Sequence, residues 1–83
     1  MGGYMTVEIR LFATFRAFLP PGSKTFSFTK SLEEGTTVEE ILRELKLPEQ
    51  DPKIIIVNGV HAEPGRVLRD GDILSLFPPV GGG

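Results

Sequence analysis

The group with the clearest chemical potential in this sequence belongs to the main chain. It is the carboxylate at the end of Phe77-Pro78-Pro79-Val80-Gly81-Gly82-Gly83. Two consecutive prolines each fix their own φ and so stiffen the exit from whatever precedes them. The four residues beyond Pro79 reach about 13 Å when extended, at roughly 3.3 Å per residue. Glycine has no side chain, so such a tail fits a narrow channel and can place a carboxylate deep inside another protein. A phosphate loop does not fit Gly81-Gly82-Gly83, because no helix follows whose N-terminus would hold the anion. The competing reading is a frayed or appended end, since termini are commonly poorly ordered.

The side chains offer weaker candidates. Glu33, Glu34, Glu39, Glu40 and Glu44 cluster in sequence. Paired carboxylates do acid–base work only where burial separates their pKa values. Here they fall at a helix start or on its polar face, where acids also favour the helix dipole. Asp70-Gly71-Asp72 lacks the later ligands and closing Glu of a calcium loop and reads as a turn. His61 is the only histidine and there is no cysteine, so a usual metal site has no anchor. Ser23, Ser27, Ser31 and Ser75 have no base near them in sequence, which leaves a triad with His61 unsupported.

The bulk properties bound the classes of function. Eighty-three residues make one domain, and a chain this short buries only about 60% of its unfolded surface. That leaves little room for a deep enclosed site. Nine basic residues face eleven acidic ones, for a net charge of -2, and no basic cluster appears. Nucleic acid is therefore not the expected partner. No apolar run is long enough for a membrane span, and Met1 to Met5 shows no signal pattern. The absence of cysteine suits a cytoplasmic protein. Residues 1–4 read equally as an appended leader or a disordered N-terminus, with Met5 then the native start.

The elements that must position these groups follow from periodicity. Thr6 to Phe12 alternates, with Val7, Ile9 and Leu11 on one face of a half-buried strand. Residues 13–19 make a turn or short helix, ended by Pro20-Pro21-Gly22. Thr25 to Thr29 alternates again and predicts a second strand, antiparallel to the first. Thr37, with Glu40 three residues on, opens a helix. Val38, Ile41, Leu42 and Leu45 form its buried stripe, and Pro48 closes it. Lys53 to Val57 is β-branched without alternation and predicts a strand buried on both faces. Asn58-Gly59 is a hairpin turn, Val60 to Ala62 a brief return strand, and Ile73 to Phe77 the last strand, stopped by Pro78-Pro79. One helix over one mixed sheet is an α+β roll of the β-grasp, or ubiquitin-like, type. It occupies residues 1–83 as a single domain, with residues 80–83 a flexible C-terminal Gly-Gly tail.

The chain resembles the MoaD/ThiS family of ubiquitin-like sulfur carriers. The likeness is strongest to its MoaD branch, the small subunits of molybdopterin synthase. It rests on Val7-Glu8-Ile9-Arg10-Leu11-Phe12-Ala13, Thr36-Thr37-Val38, Val57-Asn58-Gly59, Leu68-Arg69-Asp70-Gly71-Asp72 and the Phe77–Gly83 ending. It covers nearly the whole chain after Met5. The ending is its most specific element, with Gly81 as spacer and Gly82-Gly83 as the family's glycine pair.

The resemblance implies a small subunit that is not catalytic on its own and stably binds no cofactor or metal. A free carboxylate is ionised at pH 7 and a poor electrophile. An E1-like enzyme of the MoeB type would use ATP to convert the Gly83 carboxylate to an acyl-adenylate. A sulfur donor would then displace AMP and leave a thiocarboxylate. A large subunit of the MoaE type would take in Val80, Gly81 and Gly82 and pass the sulfur to cyclic pyranopterin monophosphate. That step builds the dithiolene of the molybdenum cofactor. A carrier without cysteine must hold sulfur on its backbone terminus. By position in the family pattern, Phe12, His61, Phe77, Pro78 and Pro79 would meet the large subunit. Relatives commonly have an apolar residue at the His61 place. Two other uses of the same chemistry remain open, thiolation of thiazole or tRNA and protein conjugation through Gly83. So does a β-grasp binding module whose tail is never activated.

Overall fold

A computed structural model describes residues 3–23, 25–47 and 53–78. Its five strands are β1 (Tyr4–Leu11), β2 (Ser27–Glu33), β3 (Ile54–Val57), β4 (Val60–His61) and β5 (Ile73–Phe77). A 3-10 helix (Ala13–Phe18) follows β1, and α1 (Val38–Glu44) follows β2. The sheet order is β2-β1-β5-β3-β4. The β1–β5 pair is parallel, and the other pairs are antiparallel. This is the β-grasp arrangement expected from the order of elements.

One face of the sheet is packed and the other is open. Met5, Val7, Ile9 and Leu11 of β1, Leu32 of β2, Ile55 and Val57 of β3, and Leu74 and Leu76 of β5 turn to the packed face. They join Val38, Ile41 and Leu42 of α1 in one core. Thr37 caps α1, its hydroxyl accepting from the Glu40 N–H at 3.4 Å. The next two N–H groups, of Val38 and Glu39, donate to the carbonyls of Arg66 and Pro64 at 3.0 and 2.8 Å. The long loop before β5 is thus tied to the helix start and closes the core with the buried Leu68. The helix ends in a Schellman motif, in which Leu47 N–H donates to the Leu42 carbonyl and Lys46 N–H to that of Arg43. Lys46 occupies the left-handed position, at φ 64°.

Two expectations are corrected. The second strand was predicted at residues 25–29 but spans Ser27–Glu33, because β1 begins at Tyr4 and supplies partners for Lys30 to Glu33. The chain bends at Phe26 instead of continuing the ladder. β3 was predicted to be buried on both faces. Only Ile55 and Val57 are buried, while Ile54 and Ile56 are half-exposed, because the single helix covers one face and nothing among the described residues covers the other. Gly3 and Tyr4 join the sheet: the Glu34 N–H donates to the Gly3 carbonyl at 2.9 Å, and the Gly3 N–H to Glu34 Oε1 at 3.0 Å.

Candidate functional site

The site begins with a consequence of parallel pairing. β1 and β5 run side by side in the same direction, with Leu11 opposite Leu76. Both leucines point to the packed face, so the next residue of each strand, Phe12 and Phe77, belongs to the open face. Phe12 N–H continues the ladder by donating to the Leu76 carbonyl at 3.1 Å. The two rings stack with centroids 4.3 Å apart and planes 7° apart. A stacked pair of this kind contributes about 0.5–1.5 kcal/mol beyond its area. It fixes the point at which the chain leaves the sheet for Pro78.

Phe26 completes the aromatic group. Its ring lies 5.1 Å from that of Phe12, and the residue is 40% exposed. Sequence reasoning missed it. The alternation of Phe26, Ser27 and Phe28 put both phenylalanines on one strand face, whereas only Phe28 packs against the core. The signal available was the Pro20-Pro21-Gly22 turn before it, which leaves room for an irregular entry to β2.

Cross-strand partners share a face, which places the remaining candidates. Ile54 is opposite Phe77, so Phe12, Phe77 and Ile54 form one row. Arg10, Ser75, Ile56 and His61 form the next. His61 is therefore exposed on the same open face as Phe12 and Phe77, but at the far edge, on β4. Phe12 and Phe77 are brought into contact, and His61 is not brought to them. Ser75 and His61 share a row with Ile56 between them, and no hydrogen bond links them. Arg10 donates through Nε to Glu8, its neighbour along the strand. Pro78 is half-buried at the end of β5. Pro79, Val80, Gly81, Gly82 and Gly83 lie outside the described residues.

The start of β5 is held as firmly as its end. Asn58 and Gly59 both have positive φ, 52° and 82°, as a two-residue type I′ hairpin requires. The Asn58 side chain then reaches β5. Its Oδ1 accepts from Ile73 N–H at 2.9 Å, and its Nδ2 donates to Asp72 Oδ1 at 2.9 Å. Asp72 is buried, 7% exposed, and also accepts from Arg69 N–H at 2.8 Å. Asp70 Oδ1 accepts from Thr6 N–H at 2.8 Å. The Asp70-Gly71-Asp72 segment is the expected turn, and its carboxylates are used on backbone groups. The helix acids do structural work too: Glu44 pairs with Lys30 at 2.8 Å and Glu39 with Arg43 at 3.3 Å. Among the described residues no three His, Cys, Asp or Glu side chains gather as metal ligands would. No helix among them is long and apolar enough to cross a membrane.

The arrangement offers a rigid strand end, an aromatic platform beside it and no acid–base machinery among the described side chains. The chain and its fold are similar to those of several known proteins. The ThiS family profile matches residues 9–83. Small archaeal modifier protein 3 of Haloferax volcanii is 33% identical, over 95% of this chain and 100% of the relative. A Pyrococcus furiosus structure described as molybdopterin converting factor subunit 1 is 27% identical with a TM-score of 0.70, over 92% of this chain and 99% of that one. The complex of subunits 1 and 2 of molybdopterin-converting factor from Helicobacter pylori contains a chain 27% identical, with a TM-score of 0.60, over 95% of this chain and 100% of that one.

Proposed function

Because the chain belongs to the ThiS family of ubiquitin-like carrier proteins, we propose that it carries sulfur on its C-terminus as the small subunit of a molybdopterin synthase. The observation that carries this reading is a family match that extends to Gly83 itself. The Gly83 carboxylate attacks the α-phosphorus of ATP on an E1-like enzyme, releasing pyrophosphate and forming an acyl-adenylate. Hydrosulfide, the simplest sulfide-level donor, attacks the acyl carbon, AMP leaves with the bonding pair, the S–H proton is lost to solvent, and a thiocarboxylate remains. Val80, Gly81 and Gly82 then enter the large subunit, where the sulfur passes to cyclic pyranopterin monophosphate. Phe12, Phe77, Pro78 and Pro79 seat against that subunit, with His61 at the margin. The chain itself holds no cofactor; ATP belongs to the activating enzyme. Such chemistry suits the cytoplasm, where ATP and reduced sulfur are held.

The molybdopterin assignment draws support from two solved relatives described as subunits of molybdopterin converting factor, matched over nearly their whole length. A second reading has its own support. The 33% identical relative is a modifier protein, and the same acyl-adenylate attacked by a lysine amine would give an isopeptide instead of a thiocarboxylate.

The test is intact-mass analysis of a chain ending at Gly83, incubated with ATP, a sulfur source and the cognate E1-like enzyme. A gain equal to one oxygen replaced by sulfur, absent when Gly83 is deleted, supports the carrier. Conversion of cyclic pyranopterin monophosphate on adding the large subunit supports the synthase assignment. Protein conjugates with no thiocarboxylate support the modifier. Neither product, with partner binding unchanged after the tail is removed, supports a plain binding module and refutes the proposal.

A further inference from the structure

Asn58 is the chain's one asparagine, and a glycine follows it. That pair is chemically labile, because the next residue's backbone nitrogen can attack the asparagine amide carbon. Glycine leaves its nitrogen unhindered, having no side chain. The turn is exposed, so water reaches it. The fold nevertheless holds the reacting groups apart. Val57 pairs with Val60 across Asn58 and Gly59 alone, and both turn residues have positive φ. The first central residue of such a type I′ turn has ψ near about +30°. At that angle Cβ of Asn58 points away from the Gly59 nitrogen, whereas closing a ring through Cγ needs the two nearly eclipsed. Rotating ψ to bring them together breaks the Val57–Val60 ladder. The side-chain amide is also held at both ends, Oδ1 by Ile73 N–H and Nδ2 by Asp72 Oδ1, each at 2.9 Å. The Asn58 N–H donates to the Ile73 carbonyl at 2.9 Å as well.

We propose that Asn58 is a site of spontaneous deamidation that is closed in the folded chain, opens when the β3–β5 junction opens, and leaves a product that cannot rebuild that junction. In the opened chain the Gly59 nitrogen bonds to Asn58 Cγ and gives its proton to solvent. Ammonia departs with the broken C–N bonding pair, leaving a cyclic imide. Water then opens the imide at either carbonyl, giving aspartate or isoaspartate. The net change is water in and ammonia out, with no oxidation or reduction. Neither product suits the native site. Asp72 is buried and accepts from Asn58 Nδ2 and from Arg69 N–H. An aspartate at position 58 has no proton to donate to it at neutral pH, and two carboxylates then face each other. Isoaspartate also lengthens the main chain inside a two-residue turn. A chain that has once opened and reacted therefore carries a lasting mark at the junction that anchors β5. This inference is independent of sulfur loading at Gly83.

The experiment incubates the full wild-type chain at neutral pH, folded in buffer and unfolded in guanidinium chloride. Peptide mapping by mass follows replacement of the amide NH2 by OH at position 58. The folded chain is expected to react about a hundredfold more slowly, since reaction waits on opening of the junction. Equal rates in the two states overturn the inference. Asn58→Asp stands in for the aspartate product and is expected to lower the folding equilibrium constant about a hundredfold, read from urea denaturation. Adding Asp72→Asn exchanges acid and amide. The new amide can donate back across the pair and still accept from Arg69 N–H, while the new acid accepts from Ile73 N–H. The exchanged pair is expected to recover to within about tenfold of wild type. An Asn58→Asp variant as stable as wild type, or an exchanged pair no more stable than that single variant, also overturns the inference. Should the single variant fail to fold, the wild-type rates and the exchanged pair still decide the matter.

Discussion

Asn58 is expected to contribute more to stability than a residue in an exposed hairpin turn ordinarily does, and its substitution separates turn geometry from tertiary anchoring. Asn58→Ala removes two side-chain hydrogen bonds. One, from Ile73 N–H to Oδ1, is exposed and contributes about 0.5–1 kcal/mol. The other, from Nδ2 to the buried Asp72 carboxylate, is part-buried and, being charge-assisted, contributes about 1.5–2 kcal/mol. Alanine must also hold φ near 52°, a conformation asparagine tolerates and alanine adopts at a cost of about 1 kcal/mol. The sum is about 3–4 kcal/mol, against a total of roughly 4–12 kcal/mol for a domain of this size. Asn58→Gly keeps the left-handed turn and loses only the bonds, so it is expected to lose about 2–3 kcal/mol. Urea denaturation of both variants, with the slope checked for constancy, reads the two values directly. If Asn58→Gly is as stable as wild type, the tie to Asp72 and Ile73 carries nothing and only the turn matters. If Asn58→Ala loses less than about 1 kcal/mol, the whole account of the β3–β5 junction fails.

The other expectations concern the helix and the chain end. Lys46→Gly relieves the left-handed position that closes α1 and is expected to stabilise by up to about 1 kcal/mol; a lower urea midpoint contradicts that reading of the Schellman motif. Thr37→Ala removes the cap of α1, and because the bond is long at 3.4 Å the expected loss is at the low end, about 0.5–1 kcal/mol, read from thermal unfolding. One residue added after Gly83 is expected to leave the amide spectrum of the folded domain unchanged and to abolish thiocarboxylate formation, because the reactive carboxylate moves. Sulfur loading of an extended, untrimmed chain shows that the chemistry is elsewhere.

What could be read from the sequence was local. The Thr37 cap, the Val38-Ile41-Leu42 stripe, the Asn58-Gly59 turn and the alternation of Val7, Ile9 and Leu11 each depend on residues within a few positions of one another. Each is found where the pattern put it. What the sequence hid was set by pairing between distant segments. β2 runs four residues past its predicted end because β1 supplies partners as far back as Tyr4. Ile54 and Ile56 read as buried because an unbroken β-branched run carries no mark of which face a helix will cover. Lys46 at positive φ is likewise invisible, since no rule of composition puts a lysine there. For the candidate site, the family pattern placed Phe12, Phe77 and His61 on one face, and they share it. The contact between Phe12 and Phe77 needed the parallel register, and the part played by Phe26 needed its ring position.

The position of β5 in the sheet bears on why a fold this small serves a carrier. An edge strand is bonded on one side and can peel away. β5 is bonded to β1 on one side and β3 on the other, up to Leu76 and Phe77. Its first residues are tied by Asn58 and Asp72. Proline donates no hydrogen bond, so neither Pro78 nor Pro79 can extend the ladder with its own N–H. Among the described residues the β5 ladder ends at Leu76 and Phe77. A partner that docks on Phe12 and Phe77 consequently knows where the chain leaves the sheet, and no side chain of the carrier need approach the reacting carbon. Were the last strand at an edge, docking and delivery would be set by separate motions. With β5 in the interior of the sheet, holding the aromatic platform also holds Phe77, the residue at which the strand ends, and that is what the proposed docking requires.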